Sequence, residues 1–547
     1  LTRGGGAPYK AGAPVFEEET MPFRSLYPDV QIPEISLGEF VLADAKARGD
    51  KPALIDGPSG RTITYAQLPE LVARVAAGLA ARGFKKGERF AILSPNVPEY
   101  AVAFHAIAAL GGVITTVNPL YTSGEVAKQL QDSKARFVLT VPPFLATARE
   151  AAAQAKVDEI FVFGEAEGAT PFAALLAGGG TPPKVTIDPR KDLVALPYSS
   201  GTTGLPKGVM ISHYNLVAEV CTLNGVTDAA LITPQDTVLA FLPFFHIYGI
   251  VAFLNYSLER GATVVTMPRF DLEQYLQLVE KYSVSILHVV PPIALALAKH
   301  PIVDKFNLSK VRGAFSAAAP LGQEVADALH ARLGFHVSQA YGMTEVSGAS
   351  HLGPTTEDKV KPASGGRLMP NMECKIVDTG SGKEVAVGEQ GEILVRGPIV
   401  MQGYFGQAGA TAATIDAEGW LRTGDIGYVD ADGDFFIVDR TKELIKYKGL
   451  QVAPAELESV LVGNPAIADA CVIGVADEEA GEVPKAFVVK KGEISAEQVM
   501  AWVAERVAPH KKVRMVEFVD ELPKSATGKL LRRVLIARER ERAAAAR

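Results

Sequence analysis

Apolar and polar positions along this chain follow two rhythms. From Tyr65 to Gly83 apolar residues recur at helical spacing in an Ala-rich segment. Phe90 to Leu93 is a short apolar run of strand length, and Asn96 to Gly111 returns to the helical period. Phe137 to Val141 and Glu159 to Phe163 read as further strands. Such alternation predicts βα units around a mostly parallel sheet. A similar pattern resumes at Thr237 and runs to about Thr344. Near Gly365 the texture changes to short strand-like runs punctuated by Gly: Glu373 to Val377, Gly391 to Val395, Asp425 to Val429 and Asp434 to Val438. After Asp439 another α/β pattern begins, with a helix at Pro454 to Val462 and a strand at Ala470 to Val475. The predicted fold class is α/β. A large N-terminal domain, residues 1–439, holds two α/β subdomains and a β-rich one; a small mobile α+β domain follows, residues 440–547.

Two stretches without Asp, Glu, Lys or Arg, Tyr100 to Gly124 and Thr237 to Leu258, raise the question of a membrane. Gly, Pro, His and Asn interrupt both, so they read as buried elements of a large core rather than as spans. With 547 residues the chain is too long for one core. A net charge of -7 argues against a nucleic-acid binder built on a basic field. The charge is uneven: from Arg440 onward 19 Lys and Arg face 16 Asp and Glu, a net of +3 that leaves -10 on the rest. A mildly basic last fifth suits an anionic ligand, and suits an arbitrary surface equally well. Cys221, Cys374 and Cys471 are too far apart for a zinc site or a disulfide ladder. No basic-then-apolar signal follows Leu1, and the expected compartment is the cytoplasm.

The strongest local signal is "YSSGTTGLPKGV", Tyr198 to Val209, entered from the apolar run Leu193 to Leu196. Backbone amides bared by Gly, several hydroxyl donors and one Lys form a cradle for a polyphosphate. It is not a Walker A loop, which ends Gly-Lys-Ser/Thr. A helix is expected after it from Ser212, with Leu216, Val217, Val220 and Leu223 on one face. As composition alone the segment would pass for a flexible linker; its residue order argues against that.

Further strings stand in order downstream: "YGMTE" at Tyr341 to Glu345, "GWLRTGD" at Gly419 to Asp425, "VDRTKELIKYKG" at Val438 to Gly449, and "PKSATGK" at Pro523 to Lys529. Together they resemble the adenylate-forming superfamily of acyl-CoA synthetases, luciferases and peptide-synthetase adenylation domains, over nearly the whole chain. "LPFFHIYG" and "ELIKYKGLQVAPAELE" are most similar to the 4-coumarate:CoA ligase branch.

The resemblance implies residue roles. ATP or AMP would be held by Ser199, Ser200, Gly201, Thr202, Thr203, Gly204 and Lys207, by Ala318, Gln339, Ala340, Tyr341, Gly342 and Thr344, and by Asp425, Arg440, Lys442, Lys446 and Lys529. Asp425 is the implied acceptor for both ribose hydroxyls, and an acceptor-only carboxylate suits a vicinal diol. Glu345 is the implied Mg²⁺ ligand; that ion in nucleotide sites often takes one or two carboxylates plus phosphates. Lys529 is the implied adenylation lysine. Acid and ATP are both anions, so a cation bridging them relieves repulsion as charge shifts. Lys446 and Gln451 are the other implied catalytic residues. Arg269, Lys448 and Gly449 would meet coenzyme A, with Gly449 allowing close backbone approach. His246, Tyr248, Ala252, Ala340 and Gly342 would line the acid pocket. Ala340 stands where a Gly is common in the family, and its extra methyl would narrow the pocket. Without these contexts, a lone His on an apolar stretch is a core residue, a lone Glu is an exposed loop residue, and three Lys in seven residues are a solvated face.

The implied activity is an ATP-dependent acid:CoA ligase working through an acyl-adenylate on 4-coumarate- or cinnamate-type acids. Its partners are a small carboxylic acid, ATP and CoA, with no nucleic acid and no integral membrane association. A medium- or long-chain fatty acid is the alternative substrate. Luciferase-like oxygenation and loading of a carrier protein share the first half-reaction; the 18 residues after Lys529 leave no room for a fused carrier domain. A scaffold without activity would be expected to have lost Lys529, Asp425 or Glu345, and all three are present.

Overall fold

The structure is a computed structural model. It describes residues 22–177, 180–199, 206–227, 232–355, 360–448, 450–477, 480–525 and 528–545, without the side chains of residue 451 and of 543–545.

The predicted elements form, mostly with slightly shifted ends. The first helical segment is Gln67–Ala81, followed by the strand Arg89–Leu93 and the helix Pro98–Ala109. Pro98 opens that helix, where its missing N–H costs nothing. The helix is buried on every side, and His105 satisfies its Nε2 on the Leu254 carbonyl at 2.9 Å. Burial pulls this imidazole down to about 4, so it is neutral. The first stretch without charges therefore becomes a core helix plus the fully buried strand Val113–Val117. The second becomes the strand Thr237–Ala240 and the helical run Ile247–Arg260, whose middle, Ile250–Tyr256, is wound as a π-helix. No helix among the described residues is long and apolar enough to cross a membrane. Ser212 caps its predicted helix, His213–Gly225, through a reciprocal bond with Asn215.

Strand order adds what the sequence reading left open. The strands from Arg89 to Ser212, together with Gly403–Tyr404, form one sheet with parallel pairing at its centre. A second sheet runs through 14 strands among the described residues. It joins the parallel strands of residues 237–343 to the antiparallel strands of 348–440, so the β-rich region continues an α/β sheet. It also recruits Phe23–Arg24 against Glu373–Cys374, and Pro52–Asp56 against Thr263–Thr266. Short apolar strands have no local feature that names their partner, which is why this pairing is not legible in the pattern.

The two sheets are stitched where the site lies. Asn96, just past the end of Arg89–Leu93, donates to the carbonyls of Ala240 and Leu242 and accepts from Phe244 N–H. Thr116 donates to the Phe245 carbonyl at 2.6 Å. These bonds hold the turn that carries His246, at the carboxyl ends of parallel strands, where α/β sheets bind ligands.

The C-terminal part has its own core, around Leu457, Leu461, Val472, Val488 and Val499. Its centre is the hairpin of Ile467–Asp477 and Gly481–Lys490, covered by Pro454–Val462 and Ala496–Ala504. It touches the larger part closely: a Cβ on Gly322 would lie 2.4 Å from Ser459 Oγ, and Lys299 donates to the Val462 carbonyl.

Candidate active site

The two ends of the Gly-rich motif pair antiparallel, the strand Tyr198–Ser199 against Lys207–Ser212, with Ser199 opposite Lys207. Ser200, Gly201, Thr202, Thr203 and Gly204 lie outside the described residues. At its base Ser199 Oγ is buried with no partner among the described residues, a hydroxyl free to meet a phosphate oxygen. Lys207 Nζ sits 4.6 Å from the centre of the Tyr404 ring. Tyr404 arrives on Gly403–Tyr404, which pairs with Val209–Met210. Its hydroxyl donates to Glu345 Oε1 at 2.9 Å. A chain of contacts thus runs from the foot of the loop to the carboxylate of "YGMTE". Tyr404 was not among the sequence candidates; nothing in "QGYFG" marks it.

Asp425 and Arg440 are opposite each other on paired antiparallel strands, with Arg440 Nε 3.3 Å from Asp425 Oδ1. The Tyr341 hydroxyl donates to Asp425 Oδ2 at 2.7 Å. Burial raises the Asp425 carboxyl above its usual range, while Arg440 and Tyr341 act to lower it. Each carboxylate oxygen has a second lone pair, so Asp425 keeps acceptor capacity for a ligand.

Lys529 approaches the same group from the C-terminal part. Burial, reinforced by Arg440, brings its ammonium down to about 8, with Asp425 and Glu443 acting the other way. The segment after it is pinned by Arg532, which bonds Glu458 at 2.6 Å and also reaches Glu443. Asp439 Oδ2 accepts from Ala455 N–H at 2.9 Å, at the start of the helix Pro454–Val462.

On the acid side His246 caps its own turn: Tyr248 N–H donates to Nδ1 at 3.3 Å. Burial and the nearby Lys529 pull the imidazole down to about 4. It is neutral, with its proton on Nε2. His246 and Thr344 share a cavity of about 40 Å³ with Thr116 and Tyr198. Three motifs thus meet on one cavity: the phosphate loop, "YGMTE" and "FFHIYG". Tyr248 reaches inward, its hydroxyl 3.1 Å from His288 Nδ1. Phe253 and Phe315 pack on the same imidazole. His288 and Phe315 are further residues the motifs did not indicate. Ala252 lies buried in the π-helical segment. Ala340 and Gly342 are on the strand Val337–Met343, paired with Leu352 and Ala349.

Some candidates are placed differently from expectation. Gln339 accepts from Leu321 N–H and donates to the carbonyls of Leu321 and Pro362. Its side chain braces two loops instead of facing a nucleotide. Ala318 stands at φ 75, in the left-handed region that a Cβ disfavours. Arg269 is exposed beyond the strand Thr263–Thr266. Lys442, Lys446 and Lys448 are exposed as well. Lys446 N–H bonds Glu482, and Lys448 N–H bonds the Ala480 carbonyl. Lys446 and Lys448 belong to a hairpin of the C-terminal sheet, whereas Lys442 precedes it, next to Thr441, which bonds the Gly424 carbonyl beside Asp425. Gly449 lies outside the described residues. Gln451 pairs with Lys446 through its backbone.

The chain matches the AMP-binding enzyme family over residues 41–405 and the AMP-binding enzyme C-terminal domain over residues 456–529. It belongs to the AMP-binding enzyme family. Among its relatives, 4-coumarate–CoA ligase 5 of Oryza sativa subsp. japonica is 44% identical, with 95% of this chain and 98% of the relative covered. The 4-coumarate–CoA ligase of Pinus taeda is 42% identical, with 94% and 97% covered. The crystal structure of an anthranilate CoA ligase, AuaEII, with anthranoyl-AMP superimposes with a TM-score of 0.87 at 28% identity, covering 94% of this chain and 99% of the other. ATP-bound MatB of Rhodopseudomonas palustris gives 0.82 at 30% identity, covering 92% and 98%. With these relatives along nearly its full length, this AMP-binding enzyme is an ATP-dependent, AMP-forming acid–thiol ligase that uses ATP and CoA as substrates.

Proposed function

We propose that the acid is an aryl-propenoate of the 4-coumarate type. Two features support this reading: relatives of that activity at 42% and 44% identity, and an acid side built from Tyr248, His288, Phe253 and Phe315. Flat aromatic walls favour a planar conjugated acid over a flexible chain. The observation that carries the reading is the aromatic cluster behind the His246 turn, where Tyr248, Phe253 and Phe315 meet His288.

In the first half-reaction a carboxylate oxygen of the acid attacks the α-phosphorus of ATP. The bond to the β-phosphate oxygen breaks and pyrophosphate leaves. Lys529, whose backbone bonds Ser525 and which is followed by the pinned Arg532, supplies a cation between the two anions. Asp425 orients the ribose. Ser199 and Lys207 flank the polyphosphate loop. Glu345, oriented by Tyr404, fits a Mg²⁺ ligand, because one buried carboxylate among phosphate oxygens is the donor set that ion accepts; the bound ion would neutralise phosphate charge. In the second half-reaction the CoA sulfur attacks the acyl carbonyl, the bond to the phosphate oxygen breaks, and AMP leaves while the thiol proton goes to solvent. No covalent enzyme intermediate is involved, and the three cysteines are buried, with thiols pushed up by burial. Buried free thiols also support a reducing, cytoplasmic location.

The division of labour is between residues 1–439 and 440–547. The arrangement with Lys529 acting on Asp425 while Lys446 and Lys448 are exposed on a hairpin of the C-terminal sheet supports a C-terminal domain that turns about Asp439–Arg440 between half-reactions. Measuring AMP release with CoA over a panel of aryl-propenoic and fatty acids tests the substrate. Faster turnover of dodecanoate than of 4-coumarate or cinnamate overturns it.

A further inference from the structure

Glu219 lies in the helix His213–Gly225 and has no exposed surface. Its Oε1 accepts from the backbone N–H of Ala349 at 2.7 Å, and its Oε2 meets no partner among the described residues. No ion pair compensates it among the described residues: burial pushes the carboxyl well above the usual range, and the Ala349 bond opposes. Burial of a carboxyl whose Oε1 is already an acceptor favours the protonated form, with the proton on Oε2, which has no partner among the described residues. A buried donor in that state is uncommon and costly. Bracing the Gly348–Ala349 backbone needs only Oε1.

The position of this acid suggests what Oε2 is for. Gly342, in the candidate acid pocket, is exposed and pairs with Ala349. A Cβ on Gly342 would stand 1.9 Å from the Gly348 carbonyl oxygen and 2.6 Å from Ala349 Cα. A Cβ on Gly348 would in turn stand 2.4 Å from Glu219 Oε1. The layers are therefore Gly342, then Gly348–Ala349, then the carboxyl, and the middle layer is one residue thick with no side chain at 348. Gly348 and Ala349 are only half-buried, so this layer does not lie deep in the core. From the other side, the helix of Glu219 packs on Ile250–Tyr256, which carries Ala252.

We propose that Glu219 is a specificity-determining residue for the acid, and that its Oε2 donates a hydrogen bond to an oxygen substituent at the end of the acid remote from the reacting carboxylate. The inference rests on the aryl-propenoate reading above and deepens it: the favoured acid carries a ring oxygen, as 4-coumarate does and cinnamate does not. A site built to bond such an oxygen discriminates against the analogue without it, because the buried donor is then left unpaired.

The test is the ratio of kcat/KM for 4-coumarate to that for cinnamate, in which a general loss of activity cancels. We expect the wild type to favour 4-coumarate at least about tenfold. Glu219→Gln keeps a donor in place of Oε2 and should hold the ratio within about threefold, whereas Glu219→Leu should bring it close to one. The wild type alone gives a second readout, free of any folding effect: among cinnamates carrying hydroxyl, methoxy or methyl at the far ring position, the two oxygen compounds should be preferred to the methyl. A wild-type ratio near one, a ratio unchanged in Glu219→Leu, or a preference for the methyl compound overturns the role of Glu219 and leaves the aryl-acid reading standing. A wild type that activates none of these acids overturns both.

Discussion

Asp425 and Arg440 are cross-strand neighbours, and the 3.3 Å between carboxylate and guanidinium joins the proposed nucleotide site to the last residue of the strand that leads into the C-terminal part. Whatever fills the space beside Asp425 is felt at that exit. Replacing Asp425 with Ala removes the acceptor and leaves Arg440 and the Tyr341 hydroxyl without it. The expected loss is about 1.5–3 kcal/mol in binding an unreactive ATP analogue, about ten- to a hundred-fold in affinity. Calorimetric titration reads it, and an unchanged dissociation constant would take Asp425 out of the site.

Lys529→Ala should abolish acyl-AMP formation from acid and ATP, yet still turn supplied acyl-AMP and CoA into thioester. Gly449→Trp should do the reverse, by crowding the proposed CoA approach. Stopped assays of each half-reaction separate the two. Equal loss of both half-reactions in folded Lys529→Ala would mean that one fixed site serves both steps.

The pH dependence follows from the same lysine. Its value in the ligand-free protein is lowered from 10.5 to about 8, so the cation is present below that pH and lost above it. Plots of kcat/KM for adenylation, which report the free enzyme, should fall about tenfold per pH unit above the break. Bound ATP and acid, both anions, favour the cation, so the break in kcat should lie higher. Lys529→Arg should move the kcat/KM break upward, beyond the measurable range. A flat wild-type profile to pH 9.5 contradicts the assignment.

Asp439 ties the strand end to the helix Pro454–Val462 through its bond to Ala455 N–H. Asp439→Ala removes that cap and should cost about 0.5–2 kcal/mol, while shifting the relative rates of the two half-reactions. Denaturant unfolding together with single-turnover rates checks it; a changed stability with both rates intact would leave Asp439 a cap and nothing more.

Two small changes on one strand should act in opposite directions. Gly342→Ala places a methyl where the Gly348 carbonyl already sits, 1.9 Å away. Such overpacking typically costs about 1–3 kcal/mol, and here it displaces the pocket wall. Acid KM should rise sharply. Ala340→Gly removes a methyl from the same strand and should admit more heavily substituted rings. Steady-state kinetics with mono- and dimethoxylated cinnamates would show both, and unchanged KM values in Gly342→Ala would place the acid elsewhere.

Much of this was legible in the chain. The helix Pro454–Val462 and the strand Glu373–Val377 have the predicted ends, because Pro and Gly punctuate them. The motif residues Tyr341, Asp425, Arg440 and Lys529 do converge. Long-range choices were not legible. Nothing near Tyr404 says that it bridges Lys207 and Glu345, and nothing near Glu219 distinguishes it from an exposed helix residue. Gln339 reads as a ligand in its motif, yet its amide is consumed by Leu321 and Pro362. Such roles are fixed by tertiary partners elsewhere in the chain, Leu321 at 18 residues from Gln339 and Ala349 at 130 from Glu219, while local patterns report only period and punctuation.

The way the larger sheet is threaded has a consequence for how the chain is made. Phe23 waits for Cys374, a separation of roughly 350 residues, and Leu54 waits for Val264. At about 5–20 residues per second, the first strand spends roughly 20–70 s outside the ribosome before its partner exists. During that time the apolar Phe23, Leu54 and Ile55 have no native cover. Renaturation from denaturant should share the difficulty, since these strands pair only after very long loops have closed. Yield on refolding is therefore set by dilution and by helper proteins that shield those strands, more than by the stability of the finished enzyme.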